Sequence, residues 1–177
     1  VTFNMKEAFL SLGSNKGDKL KNILFSLFEI KKYFKIKDFS SIYLTEPWGN
    51  AEGGNFINMV IRGYTELSPY ELLIKNQEIE KKFGRIRKRK YEARTLDIDI
   101  LFYEKLIMKN DKLIIPHPLL HKRNFILIPF SEIAPFFIHP VFNKKIKEFI
   151  KNKKGVYKII DKNSIKGVID YGNNKIN

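Results

Sequence analysis

The sequence predicts an α+β fold, and three observations carry that prediction. Hydrophobic periodicity over residues 7–104 switches in the order strand, helix, strand, strand, helix, strand. At 177 residues, with 44% hydrophobic and 14% aromatic side chains, the chain is long enough and apolar enough to bury one sizeable core. No internal repeat and no linker interrupts it, so residues 1–160 read as one catalytic-sized domain and 161–177 as a polar, mobile tail.

In chain order, residues 7–12 form a short apolar strand that runs into Gly13-Ser14-Asn15-Lys16-Gly17-Asp18. That loop is rich in turn formers but lacks the Gly-Lys-Ser/Thr ending of a Walker A loop. Asp18 can cap a helix over 19–34, where Leu20, Ile23, Leu24, Leu27 and Ile30 recur at helical spacing. Residues 36–44 read as a second strand and 56–64 as a third. Between them, residues 45–55 form the longest clear loop, with the only Trp, Trp48, beside Pro47 and three glycines. Such a loop either plugs a core or covers a ligand. On the third strand Ile57, Met59 and Ile61 share one face, and Phe56, Asn58 and Val60 the other. A buried Asn58 needs a partner there, either the edge of a flat heterocycle, with Phe56 or Trp48 stacked on it, or a backbone group.

Ser68-Pro69-Tyr70-Glu71 is a capping box with Pro at the first helical position, opening a helix that Gly84 ends. Gln77 and Glu80 lie three apart near its end, hence on one face. Six cations follow within ten positions, at Arg85, Arg87, Lys88, Arg89, Lys90 and Arg94. They lead directly into Arg94-Thr95-Leu96-Asp97-Ile98-Asp99-Ile100-Leu101. In a strand, Leu96, Ile98, Ile100 and Phe102 face the core, while Asp97 and Asp99 face the other way, roughly 7 Å apart. Two like charges side by side call for cations: two hard divalent ions, or Lys and Arg side chains on a solvated face. Acids and arginines together suit a triphosphate better than a polynucleotide, because guanidinium groups match phosphate oxygens bidentately. Further on, residues 113–115 form a short strand leading into Pro116-His117-Pro118, which makes His117 a phosphate donor or a turn residue. Arg123 and Phe125 open a helical stretch to Glu132, bent at Pro129. Ile146, Phe149 and Ile150 mark a last amphipathic helix, and residues 156–160 a final strand.

The net charge of +14 predicts a field that attracts anions, whether nucleic acid, anionic membrane or phosphorylated small molecules. With no Cys there is no disulfide, thiolate nucleophile or Cys-based metal site, and His117, His121 and His139 lack zinc spacing. No apolar run approaches the ~20 residues of a membrane span. Lys6 and Glu7 interrupt the N-terminus before any signal-like region, and residues 1–4 precede Met5. A cytoplasmic enzyme or binding protein is expected.

The Arg94–Leu101 stretch, with Leu12-Gly13-Ser14-Asn15, Thr45-Glu46-Pro47-Trp48-Gly49, Asn55-Phe56-Ile57-Asn58, Glu80 with Gly84-Arg85, and Pro116-His117 with Arg123-Asn124-Phe125, resembles the 6-hydroxymethyl-7,8-dihydropterin pyrophosphokinases of folate biosynthesis. These motifs stand in the family's order over about residues 8–140. The resemblance implies a ferredoxin-like α/β sandwich, an antiparallel sheet with packed helices. It implies a monomer that acts on ATP and a dihydropterin, binding neither nucleic acid nor membrane. Position by position, it makes Asp97 and Asp99 ligands of two Mg²⁺ ions, and Arg85 and Arg94 servants of the transferred group. Arg87, His117 and Arg123 become phosphate contacts, and Gln77, Glu80 and Ile100 nucleotide neighbours. Asn58 reads the pterin edge and Phe125 stacks on it, in a pocket lined by Thr45, Glu46, Trp48 and Phe56. The loop from Arg87 to Arg94 is a residue shorter than in some members, Glu92 replaces a small residue, Tyr91 stands for a Trp, and Pro118 for an aromatic. Two rival readings are a nucleic-acid-binding module, favoured by the charge, and a metal-dependent nuclease or nucleotidyltransferase, for which no further acidic ligand accompanies the pair.

Overall fold

The computed structural model describes residues 4–47, 49, 52–85 and 92–171. The elements are β1 (Lys6–Ser14), α1 (Lys19–Ile30), β2 (Lys35–Phe39), β3 (Ile42–Thr45), β4 (Phe56–Thr65), α2 (Pro69–Lys82) and β5 (Asp97–Tyr103). They continue with β6 (Met108–Lys109), β7 (Ile114–Ile115), α3 (Asn124–Ile133), β8 (Ile138–His139), β9 (Lys144–Lys145), β10 (Val156–Ile160) and α4 (Lys162–Tyr171). The main sheet runs β10-β3-β4-β1-β5, with β2 also on β4, and every pairing among the described residues is antiparallel. The α+β class and the helix-backed antiparallel sheet are those predicted.

Alternation sorts the side chains of this sheet into two cores. Ala8, Leu10 and Leu12 of β1, with Ile57, Met59 and Ile61 of β4, meet Ile23, Leu27 and Ile30 of α1 and Leu72 and Ile79 of α2 on one face. On the other face Phe9, Val60, Leu101 and Phe102 meet Ile126, Leu127 and Phe130 of α3. The cap predicted for α2 is formed: the Ser68 hydroxyl accepts from the Glu71 N–H, and the Glu71 carboxylate accepts from the Ser68 N–H.

Four expectations are corrected. The strand expected over 36–44 is two strands. Ser40 and Ser41, both fully buried, break it: Ser40 exchanges bonds with Val60, and Ser41 turns its N–H and hydroxyl to Glu132. Phe102 does not share a face with Ile98 and Ile100. β1 and β5 pair Leu10 with Ile100 but Phe9 with Phe102, so Leu101 is an extra residue, a β-bulge that sends Phe102 to the opposite core. The helix expected near Ile146 is only a 3-10 turn, Ile146–Phe149. Residues 162–171 of the expected mobile tail form α4, because Ile165 and Ile169, one helical turn apart, bury against the first core.

Candidate active site

Among the described residues, the second sheet face is covered at one end only. At the other end Ser11 and Gly13 of β1, Asn58 of β4, Asp97 and Asp99 of β5, and Arg123 and Phe125 at the start of α3 line a cavity with Thr45, Glu46, Phe56, Glu92 and Arg94. The bulge at Leu101 stands between the two ends. Its carbonyl accepts the His117 N–H at 3.0 Å, which places that imidazole beside Asp99.

Each charged group is delivered by a local device. Gly84, at φ +78°, ends α2 with the Arg85 N–H bonded back to the Glu80 carbonyl at 3.0 Å. That turn directs the Arg85 guanidinium onto both the Glu80 and the Asp97 carboxylates. Arg94 closes on Asp97 from the other side. Glu80, 3% exposed, also accepts the Ile98 N–H at 2.8 Å, so it fixes both the arginine and the strand. Burial pushes Asp97 up, but Arg85 and Arg94 outweigh it and hold the carboxyl below its ordinary value.

Asp99 is placed differently. The His117 Nε2 lies 4.0 Å from its carboxylate. Burial, then Arg123, hold that imidazole down to about 4, so it is neutral at pH 7. Burial, then the charges of Asp97 and Glu80, push Asp99 up to about 7. Its side chain is 39% exposed, so solvent screens part of that push. Arg123 and Arg94 pull the other way without cancelling that push, and the carboxylate oxygens that line the cavity fit a hard dication that keeps water and phosphate in its remaining positions. Among the described residues Asp97 is clamped by two arginines and Asp99 is not, and both carboxylates line the cavity.

The apolar end of the cavity is equally built. Asn58, 4% exposed, donates from Nδ2 to the Thr45 hydroxyl at 2.6 Å, a side-chain partner in place of the backbone group considered above. Gly13 leaves the space Asn58 needs: a Cβ there would sit 2.7 Å from Asn58 Oδ1. Phe56 and Phe125 are the apolar walls, and the Arg123 guanidinium lies 5.6 Å from the Phe125 ring centroid.

Of the residues singled out from sequence, the fold thus gathers Thr45, Glu46, Phe56, Asn58, Arg94, Asp97, Asp99, Arg123 and Phe125 around one cavity, with Arg85 and His117 touching the acids. Gln77 is not among them. It is exposed on α2, lining a surface hollow with Tyr70 and Asn110, one turn from the buried Glu80. The Ile100 side chain lies in the first core, which leaves its backbone, on the edge strand β5, as its means of reaching a ligand. Trp48, Arg87, Tyr91 and the run 86–90 lie outside the described residues. Ser11 and Gly13 were missed as site residues; the signal was their period-two offset from Leu10 and Leu12.

A half-open sheet face with paired acids, converging arginines and an amide-edged aromatic slot defines a class of protein, one that grips a polyphosphate beside a flat polar ring. Residues 9–135 match the model of the family 7,8-dihydro-6-hydroxymethylpterin-pyrophosphokinase, and the chain belongs to that family. It is 40% identical over 145 residues to a 2-amino-4-hydroxy-6-hydroxymethyldihydropteridine pyrophosphokinase of Aquifex aeolicus, covering 82% of this chain and 91% of the relative. The corresponding enzyme of Haemophilus influenzae is 35% identical over 154 residues, covering 84% and 96%. A folic acid synthesis protein of Dictyostelium discoideum is 42% identical over 135 residues, and there the match spans 76% of this chain but 20% of the relative. The wild-type HPPK-DHPS of Plasmodium falciparum with pteroate shares the fold, with a TM-score of 0.73 at 17% identity over 88% of this chain and 48% of that one.

Proposed function

We infer that the chain carries out its family's reaction, transfer of the pyrophosphoryl group of ATP to the hydroxymethyl group of 6-hydroxymethyl-7,8-dihydropterin. The observation that carries this reading is that the acid pair and the Asn58–Phe125 slot line one cavity. The pterin lies between Phe56 and Phe125 with its amide edge on Asn58, in a pocket completed by Thr45, Glu46 and Trp48. Its hydroxymethyl group points at the acids. The hydroxyl oxygen attacks the β-phosphorus, the α–β bridge breaks, and AMP leaves with the bridging oxygen. The hydroxyl proton goes to Asp99 or to water, and no obligatory base is required.

Asp97 and Asp99 are the groups that would hold two Mg²⁺ ions, which when bound neutralise phosphate charge. The work left to the protein is positioning and charge stabilisation. Arg85 and Arg94, clamped on Asp97, have further N–H groups to offer the transferred phosphates, and Arg87, His117 and Arg123 serve the same polyphosphate. Gln77, Glu80 and the Ile100 backbone serve the nucleotide, and Glu80 also holds Arg85 in place. Residues 1–160 act as one catalytic domain, working as a cytoplasmic monomer on small molecules, with the basic surface drawing in ATP rather than nucleic acid or membrane. Among the described residues no helix is long and apolar enough to cross a membrane.

The test is incubation with Mg²⁺-ATP and the dihydropterin, with the nucleotides resolved by chromatography. One AMP is expected per pterin consumed. ADP in step with pterin loss would overturn pyrophosphoryl transfer while sparing phosphate transfer, and no pterin-dependent turnover would overturn both.

A further inference from the structure

We propose that Asn15 is a positioning residue that ties the loop between β3 and β4 to the Arg94 segment, so that the pterin-side wall and the transfer-side arginine are set in place together. The role of the two sides rests on the functional reading above; the tie itself rests on geometry. Asn15 is 3% exposed in the loop after β1. Its Oδ1 accepts the Arg94 N–H at 2.7 Å, and its own N–H donates to the Arg94 carbonyl at 3.0 Å. The same side chain donates from Nδ2 to the Glu52 carbonyl at 2.5 Å. One buried amide thus holds three segments that share no strand pairing at this point.

A second observation comes from the loop side. Gly53 adopts φ +92°, and a Cβ there would lie 2.6 Å from the Ala93 Cβ and 2.8 Å from Asn15 Nδ2. The loop backbone is therefore pressed against both Asn15 and the residue before Arg94, and only glycine permits that approach. Asparagine is the residue type that suits the junction, because it offers an acceptor to one segment and a donor to the other. Aspartate keeps the acceptor and loses the donor. The carboxylate oxygen that would replace Nδ2 meets the Glu52 carbonyl oxygen, and that repulsion pushes the loop away.

The experiment compares Asn15→Asp, Asn15→Ala and Gly53→Ala with the wild-type chain. Asn15→Asp should raise the KM for the dihydropterin tenfold or more and leave the KM for ATP within threefold, because it cuts only the loop contact. Asn15→Ala should add a fall in kcat of tenfold or more, because Arg94 also loses its anchor. A merely structural role would lower melting temperature and active fraction while leaving both KM values unchanged. Amide hydrogen exchange gives a readout independent of turnover. Gly53→Ala should speed exchange at the Arg94 N–H tenfold or more, although residue 53 makes no bond to it. Arg94 exchange within twofold of wild type in Gly53→Ala, or a dihydropterin KM within threefold of wild type in Asn15→Asp, would overturn the tie. If the wild-type chain forms no AMP, the functional reading fails and the exchange result alone decides whether the tie exists.

Discussion

The two ends of one sheet face put the same backbone to opposite uses, and two carboxylates show how. At the covered end Glu132 of α3 accepts from the Ser41 N–H at 2.8 Å, the Ser41 hydroxyl at 2.7 Å, the Tyr43 hydroxyl at 2.9 Å and Lys158 Nζ at 3.2 Å. On the same face Phe9, Phe102, Phe130 and Phe137 pack ring on ring, with Phe9 and Phe130 stacked at 4.5 Å. At the open end, strand positions of the same parity carry Ser11, Gly13, Asn58, Asp97 and Asp99, and at Asp99 burial and the like charges of Asp97 and Glu80 outweigh Arg123 and Arg94. A settled carboxylate is a structural pin. An unsettled one beside a cavity is poised for a ligand.

The largest effects should come from the open end. Asp97→Ala and Asp99→Ala should each lose several kcal/mol of transition-state stabilisation, hence about 10³-fold or more in AMP formation. Their metal-free stabilities should part. Asp99→Ala should hold or gain stability, because it removes a carboxylate disfavoured by burial and like charge. Asp97→Ala should lose about 1–3 kcal/mol, because Arg85 and Arg94 lose their shared partner. Wild-type turnover in either variant would end the comparison at its chemical side. At the covered end, Phe130→Ala should cost about 3–5 kcal/mol in urea unfolding and leave kcat per folded molecule within a few fold. A tenfold loss of kcat in folded protein would mean that the bulge does not insulate one end from the other.

Arg94→Ala sharpens the contrast within the open end. Charge shifts onto the bridging oxygen only as the bond breaks, so losing this donor should lower kcat on the order of 10²-fold with little change in the KM for ATP. A raised KM with kcat intact would reassign Arg94 to ground-state binding.

Much of this was legible in the sequence, because alternation and capping are local. Strand parity placed Asp97, Asp99 and Asn58 on the face that lines the cavity, and Ser68 with Glu71 marked the start of α2. What escaped was set by contacts between distant segments. The bulge at Leu101 depends on how β5 pairs with β1, and nothing in the alternating run of β5 announces an extra residue. The break at Ser40-Ser41 depends on Glu132, 91 residues away. The burial of Ile165 and Ile169 needs a groove that only the folded sheet and α1 provide. Gln77 and Glu80 were paired by helical spacing, but which of them is buried depends on where β5 docks.

The smallest predicted effect is a pair of opposite pH dependences in the metal-free protein. Burial pushes Glu132 up, but its bonds to Ser41, Tyr43 and Lys158 outweigh this and hold it below its ordinary value near 4.5. Its stabilisation is therefore present above that value and is lost as pH falls through the lower, folded one. Asp99 runs the other way. Unfolded, it releases its proton near 3.8; folded, it keeps it until about 7. The folded state is favoured below 3.8, and that advantage is lost as pH rises through 7. Glu132→Gln should thus destabilise by about 1–3 kcal/mol at pH 7, with the difference from wild type shrinking toward pH 3. Asp99→Asn should flatten the decline in stability between about pH 4 and pH 7, and adding Mg²⁺ to wild type should flatten it too, by favouring the ionised carboxylate. Urea unfolding at closely spaced pH values, with and without Mg²⁺, checks both. If Asp99→Asn and wild type trace parallel curves across that window, Asp99 is as settled as Glu132 and the open end is not the strained one.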